Sequence, residues 1–226
     1  MELKNNLMSQ LIFKFPFKIN YFENDFYVSS NNFEAYKLIE AWPNWPDKWI
    51  NIYGPKGCGK THLSNILKKK ISSYYVEAKD CDDSIVKKVE SYKCLIIDNY
   101  QANIDEKLLY SILNQSKQTN VYTLINSEKS VNNFEIRLED LKSRLKSFIG
   151  LGIKLPTDDL LRVIISKSFS DKQIEIDVKN LEFIIKNIER SYEKVFKFIK
   201  EIDHLSLSSG KSININLIKK VLYNNE

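Results

Sequence analysis

The chain's 226 residues suffice for one sizeable core and a smaller appended unit, and its 43% hydrophobic and 28% charged residues are those of a globular protein. No apolar run approaches the ~18 residues of a membrane span, and Met1 to Asn6 do not open a secretory signal. Cys58, Cys81 and Cys94 have neither disulfide-framework nor metal-site spacing, so a reduced, cytoplasmic setting without membrane contact is expected. The net charge of +5 comes from lysines spread through nearly every segment, without aromatic-basic alternation, which argues against a dedicated nucleic-acid face.

Residues 1–18 lack helical periodicity and contain Gln10-Leu11-Ile12-Phe13-Lys14-Phe15, closed by Pro16. A polar head with bulky apolar anchors suits either an extended segment docking in a partner's groove or a first strand on its own domain, and physics alone leaves both open. Ser30-Asn31-Asn32 offers capping oxygens to a helix over Phe33–Ile39. Trp42-Pro43-Asn44-Trp45-Pro46 breaks it. The two tryptophans either pack in the core, the usual fate of Trp, or touch a base.

Trp49–Tyr53 reads as a strand running into Gly54-Pro55-Lys56-Gly57-Cys58-Gly59-Lys60-Thr61, and Thr61 to Lys70 continues as a helix. Backbone N–H groups turned inward around a polyphosphate need conformations that side chains obstruct, and three of the chain's six glycines stand here. Lys60 supplies charge for the β and γ phosphates and Thr61 a hydroxyl for magnesium at the helix N-terminus. Strand before and helix after set this apart from a glycine turn with an incidental Lys-Thr. Neighbouring N–H groups can lower the Cys58 pKa, although a tolerated small residue is the plainer reading.

Tyr74-Tyr75-Val76 is a short strand, and Tyr92–Asp98 is an apolar run ending in an acid, as in a buried parallel strand. Ligands bind at the C-terminal edge of such sheets, so Asp98 is placed to hold magnesium through water, unless it only caps a loop. Asn99 follows where a general base would stand, and an amide takes no proton at neutral pH, so slow intrinsic hydrolysis is expected. Leu108–Gln118 is helical and Asn120–Ser127 is a strand, whose Asn126 either senses the γ phosphate or its water or starts a turn. A helix over Glu135–Phe148 carries Arg144, which either pairs with Asp140 or serves a neighbour's phosphates. Gly150 to Pro156 marks the boundary, beyond which Thr157 and Asp177 cap helices and two more close the chain. Three regions follow: a tail over 1–18, an α/β unit over 19–153 and a helical unit over 154–226. Arg190, at a helix junction, is a candidate to reach the nucleotide.

Together these residues resemble the AAA+ ATPases and, more closely, the family of the replication initiator DnaA and its shorter regulatory homologue Hda, over nearly the whole chain. Asp25–Asn32, Gly54–Thr61, Ile96-Ile97-Asp98-Asn99 and Asp140–Leu145 carry the resemblance. It implies an α/β P-loop NTPase fold, a parallel sheet flanked by helices, followed by a small all-α lid. Gly54, Pro55, Lys56, Gly57, Cys58, Gly59, Lys60, Thr61 and His62 are then the contacts to ADP or ATP. Thr61 and, through water, Asp98 hold Mg²⁺. Asn126 is implied as the first sensor, Arg144 as an arginine finger acting in trans, and Arg190 as the second sensor, although Glu193 stands nearer its expected place. Gln10, Leu11, Phe13 and Phe15 are similar to a motif that docks on the DNA polymerase sliding clamp. The implied partners are that clamp and DnaA, with self-association into a homodimer open. With no helix-turn-helix after the lid, no sequence-specific DNA binding is expected. The implied activity is stimulated hydrolysis of DnaA-bound ATP, which represses initiation. A helicase loader or other DNA-handling AAA+ ATPase, or a non-catalytic adaptor using the core as scaffold, are the rival readings, and ADP versus ATP stays open.

Overall fold

In the computed structural model residues 26–209 and 212–223 are described. Gln10, Leu11, Phe13 and Phe15 lie outside them, as does Gly210. By contacts the chain divides between Pro156 and Thr157. Lys154 N donates to Asn31 O at 3.2 Å, and Asn31 Nδ2 donates to Leu155 O, which ties this connection to the first unit.

The first unit holds α1 (Phe33–Glu40), β1 (Trp49–Tyr53), α2 (Lys60–Lys70), β2 (Ser73–Glu77), α3 (Ser84–Lys88), β3 (Cys94–Tyr100), α4 (Glu106–Gln118), β4 (Tyr122–Ser127), α5 (Glu139–Lys146) and β5 (Ile149–Gly152). All strands run parallel, in the order β2-β3-β4-β1-β5. A parallel sheet covered on both faces needs apolar residues at successive positions, and Leu95, Ile96 and Ile97 in β3 and Leu124 and Ile125 in β4 are all fully buried. Trp49, Leu95, Ile97 and Ile125 join Leu109, Leu113, Leu141 and Phe148 in one core, leaving Ile50, Ile52, Ile96 and Leu124 to the other face. The architecture is the α/β one expected, a parallel sheet flanked by helices, with further helices following it in the chain.

Four details differ from the sequence reading. The helix expected over Glu135–Phe148 is confined to α5, with a 3₁₀ turn at Val131–Asn133 before it. Ile149–Gly152, expected as connection, is a strand on β1, with Ile50 opposite Ile149 and Tyr53 opposite Gly152. Its alternate glycines read as punctuation, yet they lie against the Tyr53 ring, where a Cβ at Gly152 would come within 3.0 Å. The short helix α3 went unread. Asn32 does not cap α1 with its side chain: its Oδ1 accepts from Ser29 N at 2.8 Å and its Nδ2 donates to Tyr27 O at 2.9 Å. It braces the entry segment instead.

The second unit consists of α6 (Asp158–Ser170), α7 (Val178–Asn187), α8 (Tyr192–Ser209) and α9 (Ile215–Tyr223). Thr157 Oγ1 accepts from Leu160 N at 3.4 Å and Asp177 Oδ1 from Asn180 N at 2.7 Å, the two caps expected. Leu161, Ile165, Phe169, Ile184, Ile202 and Ile218 form its core. Among the described residues no helix is long and apolar enough to cross a membrane.

Candidate nucleotide-binding site

Because β1, β3 and β4 are parallel neighbours, the loop after β1 and the last residues of β3 and β4 meet at one sheet edge. The loop is shaped by positions where only glycine fits. Gly59 has φ +100°, and a Cβ there would come within 2.7 Å of the Phe26 ring. A Cβ on Gly54 would meet the Ile153 carbonyl oxygen at 2.5 Å. The Lys60 ammonium lies against this loop, donating to Gly54 O at 2.7 Å and Pro55 O at 3.1 Å. Lys56 and Gly57 are exposed, Pro55 and Gly59 half-buried. Phe26 packs edge-on to His62 at 5.3 Å and stacks on Tyr36 at 5.8 Å, closing one side of the loop. Burial pushes the Cys58 thiol up despite the adjacent Lys60 charge, opposite to the lowered pKa considered from sequence.

Asp98 is the hub of the edge. Fully buried, its carboxylate accepts from Thr61 Oγ1 at 2.8 Å and Tyr75 Oη at 2.7 Å on Oδ2, and from Asn126 Nδ2 at 3.0 Å and Asn99 N at 2.9 Å on Oδ1. Four donors meet the requirement that a buried charge be hydrogen-bonded. Asn126 Nδ2 donates also to Ser64 Oγ at 2.7 Å, while Asn126 Oδ1 is buried without a partner. Asn99 has φ +57° and points outward as an exposed side chain. Tyr75 and Ser64 were missed from the sequence. Their signals were a tyrosine in the short strand read ahead of the Asp98 strand and a serine one helical turn beyond Lys60 among apolar neighbours.

The donor set fits a nucleotide with its metal. Glycine geometry and Lys60 suit phosphate, and the Thr61 hydroxyl and Asp98 carboxylate are the hard oxygen donors that Mg²⁺ takes. Among the described residues no three His, Cys, Asp or Glu side chains gather to hold a metal alone, so a magnesium ion here would take its other ligands from phosphate and water.

Arg144 lies away from this edge. Arg144 is half-buried, its Nη2 donating to Asn114 Oδ1 at 2.6 Å and its guanidinium 5.3 Å from the Tyr110 ring and 5.9 Å from the Trp49 ring. Its Nε is buried without a hydrogen-bond partner. Its partner is thus Asn114 rather than the Asp140 considered from sequence. Arg190 belongs to the helical unit and pairs with Asp158 at 2.9 Å. Trp42 and Trp45 pack edge-to-face on Tyr122, at 4.5 and 5.7 Å, where β4 begins. That is the opposite end of the sheet from the loop, and packing is the role these contacts show.

A family model described as RNA helicase matches residues 50–134, from β1 to just beyond β4. An uncharacterized protein of Haemophilus influenzae is 23% identical over 211 residues, covering 88% of this chain and 91% of its own length. The chromosomal replication initiator protein DnaA of Buchnera aphidicola (subsp. Baizongia pistaciae) is 27% identical over 251 residues, covering 96% of this chain and 54% of the initiator. The chain spans about half the length of the initiators it matches. Among solved structures, domain III of Thermotoga maritima DnaA superposes with a TM-score of 0.75 at 16% identity, over 93% of this chain and 98% of that one. AMPPCP-bound DnaA from Aquifex aeolicus gives 0.65 at 20% identity, over 84% of this chain and 67% of that one. Sequence similarity to the initiator and the shared architecture agree: the chain is similar in sequence to DnaA over nearly its whole length and has the fold of DnaA domain III.

Proposed function

We propose that the chain is a nucleotide-dependent regulator of replication initiation that binds ADP or ATP with Mg²⁺, docks on the sliding clamp through Gln10, Leu11, Phe13 and Phe15, and stimulates hydrolysis of initiator-bound ATP through Arg144. The observation carrying the nucleotide part is the buried Asp98 carboxylate 2.8 Å from the Thr61 hydroxyl, beside a loop built on glycine and Lys60. The Lys60 ammonium exchanges two neutral carbonyls for phosphate oxygens on binding, a charge-assisted and stronger contact. Bound magnesium supplies neutralisation of phosphate charge. Asn99 stands where a base is needed, so turnover by the isolated chain is slow.

In the regulatory role the Arg144 guanidinium leaves Asn114 and meets the partner's phosphates, where an arginine in trans is worth about 10³ to 10⁵ in rate. The test is hydrolysis of ATP held by purified initiator, with clamp loaded on DNA. Wild-type chain accelerates it, and Arg144→Ala abolishes the stimulation with nucleotide and clamp binding intact. Retained stimulation rejects the role. A second reading, a nucleotide-bound scaffold that recruits a partner without accelerating hydrolysis, is favoured by the packing of Arg144 between Tyr110 and Trp49. Clamp binding lost on Gln10→Ala, with no stimulation by wild type, is its signature.

A further inference from the structure

Two asparagines lie fully buried in the sheet, and they differ in how their groups are used. Asn51, on β1, donates through Nδ2 to Ile125 O and Ser127 Oγ, both at 2.9 Å, and accepts on Oδ1 from Val131 N at 3.0 Å. Every polar atom is satisfied. Asn126, on β4, also gives both amide hydrogens away, to Asp98 Oδ1 at 3.0 Å and Ser64 Oγ at 2.7 Å, but its Oδ1 has no partner. The orientation is forced, because a carboxylate only accepts and so must face the amide nitrogen.

Ser64 is the unusual member. It is fully buried on the face of α2 that also buries Leu63, Ile66 and Leu67, where an apolar side chain meets every packing need. A buried hydroxyl there costs stability unless hydrogen-bonded, and Asn126 supplies the bond. With both hydrogens engaged, Asn126 keeps only an acceptor. Phosphate oxygens at neutral pH are acceptors too, so the two form no hydrogen bond however the nucleotide lies. A water can donate to that oxygen. Resting on the reading of the loop as a nucleotide site, we infer that Ser64 is a positioning residue: by taking the second amide hydrogen of Asn126 it turns that side chain into a holder of water and stops it from reading the third phosphate.

Isothermal titration of the full chain with ADP and with AMPPCP, each with Mg²⁺, tests this through the ratio of the two affinities. Ser64→Ala removes the acceptor that holds one amide hydrogen, lets Asn126 turn that hydrogen toward the third phosphate, and raises AMPPCP affinity relative to ADP by about tenfold to a hundredfold, the worth of one hydrogen bond to a charged acceptor. Asn126→Ala leaves the wild-type ratio in place. A purely structural Ser64 lowers both affinities alike, so an unchanged ratio in Ser64→Ala overturns the inference. A wild-type preference for AMPPCP that disappears in Asn126→Ala overturns it as well. Absence of binding by either nucleotide to wild type is a different result, which removes the nucleotide reading and this inference with it.

Discussion

The two ends of the sheet are built from opposite materials. At the C-terminal edge a buried carboxylate gathers hydrogen bonds from Thr61, Tyr75, Asn126 and the Asn99 backbone, beside a buried lysine. At the N-terminal edge the contacts are aromatic: Trp42 and Trp45 on Tyr122, and Trp49 stacked on Phe148 at 5.2 Å. Aromatic rings stabilise a fold through large buried area and ring-to-ring contact, whereas buried charges and amides gain little net stability over apolar residues of the same shape. Polar groups concentrated at one end therefore point to a ligand, and the aromatic end holds the scaffold that keeps them in register. Arg144 stands at the aromatic end, its charge against two rings, which separates it from the C-terminal edge of its own chain.

Substitutions at the two ends separate these roles. Trp49→Ala has the largest expected effect, a loss of about 3 to 5 kcal/mol in urea unfolding, with nucleotide affinity of the folded protein unchanged. A fall in affinity with stability intact would merge the two ends into one site. Asp98→Asn comes next: the new amide must set N–H groups against existing donors, costing about 2 to 3 kcal/mol in the same unfolding measurement and removing the Mg²⁺ dependence of nucleotide binding. Equal Mg²⁺ dependence in wild type and variant would take Asp98 out of the metal's surroundings. Tyr75→Phe is the mildest, removing one hydrogen bond from Asp98 for about 1 kcal/mol in thermal or urea unfolding. A change beyond that of Asp98→Asn would mean that Tyr75 contacts the ligand itself.

Much of the C-terminal edge was legible because its chemistry is local in sequence. Gly54 to Thr61 is one contiguous segment whose flanking strand and helix can be read, and Asp98 ends an apolar run, so both announce themselves without tertiary information. Tyr75 and Ser64 did not, since a tyrosine in a strand and a serine in a helix acquire meaning only when the register sets Val76 beside Ile97 and Glu77 beside Asp98, and packing brings α2 under β4. The strand Ile149–Gly152 was hidden for a related reason. Its alternate glycines signal a turn locally, and pairing with β1 against the Tyr53 ring overrides that signal. The place of Arg144 depends on Asn114, thirty residues away in sequence, and no local pattern reports such a contact.

The claim most in need of a direct test is that the C-terminal edge binds nucleotide through Lys60. Isothermal titration of the wild-type chain with Mg²⁺-ADP and Mg²⁺-ATP should give saturable one-to-one binding, and Lys60→Ala should weaken it by about a hundredfold, the loss of a charge-assisted phosphate contact, while the fold is retained. Equal affinity in the variant, or no binding by the wild type, would contradict the account.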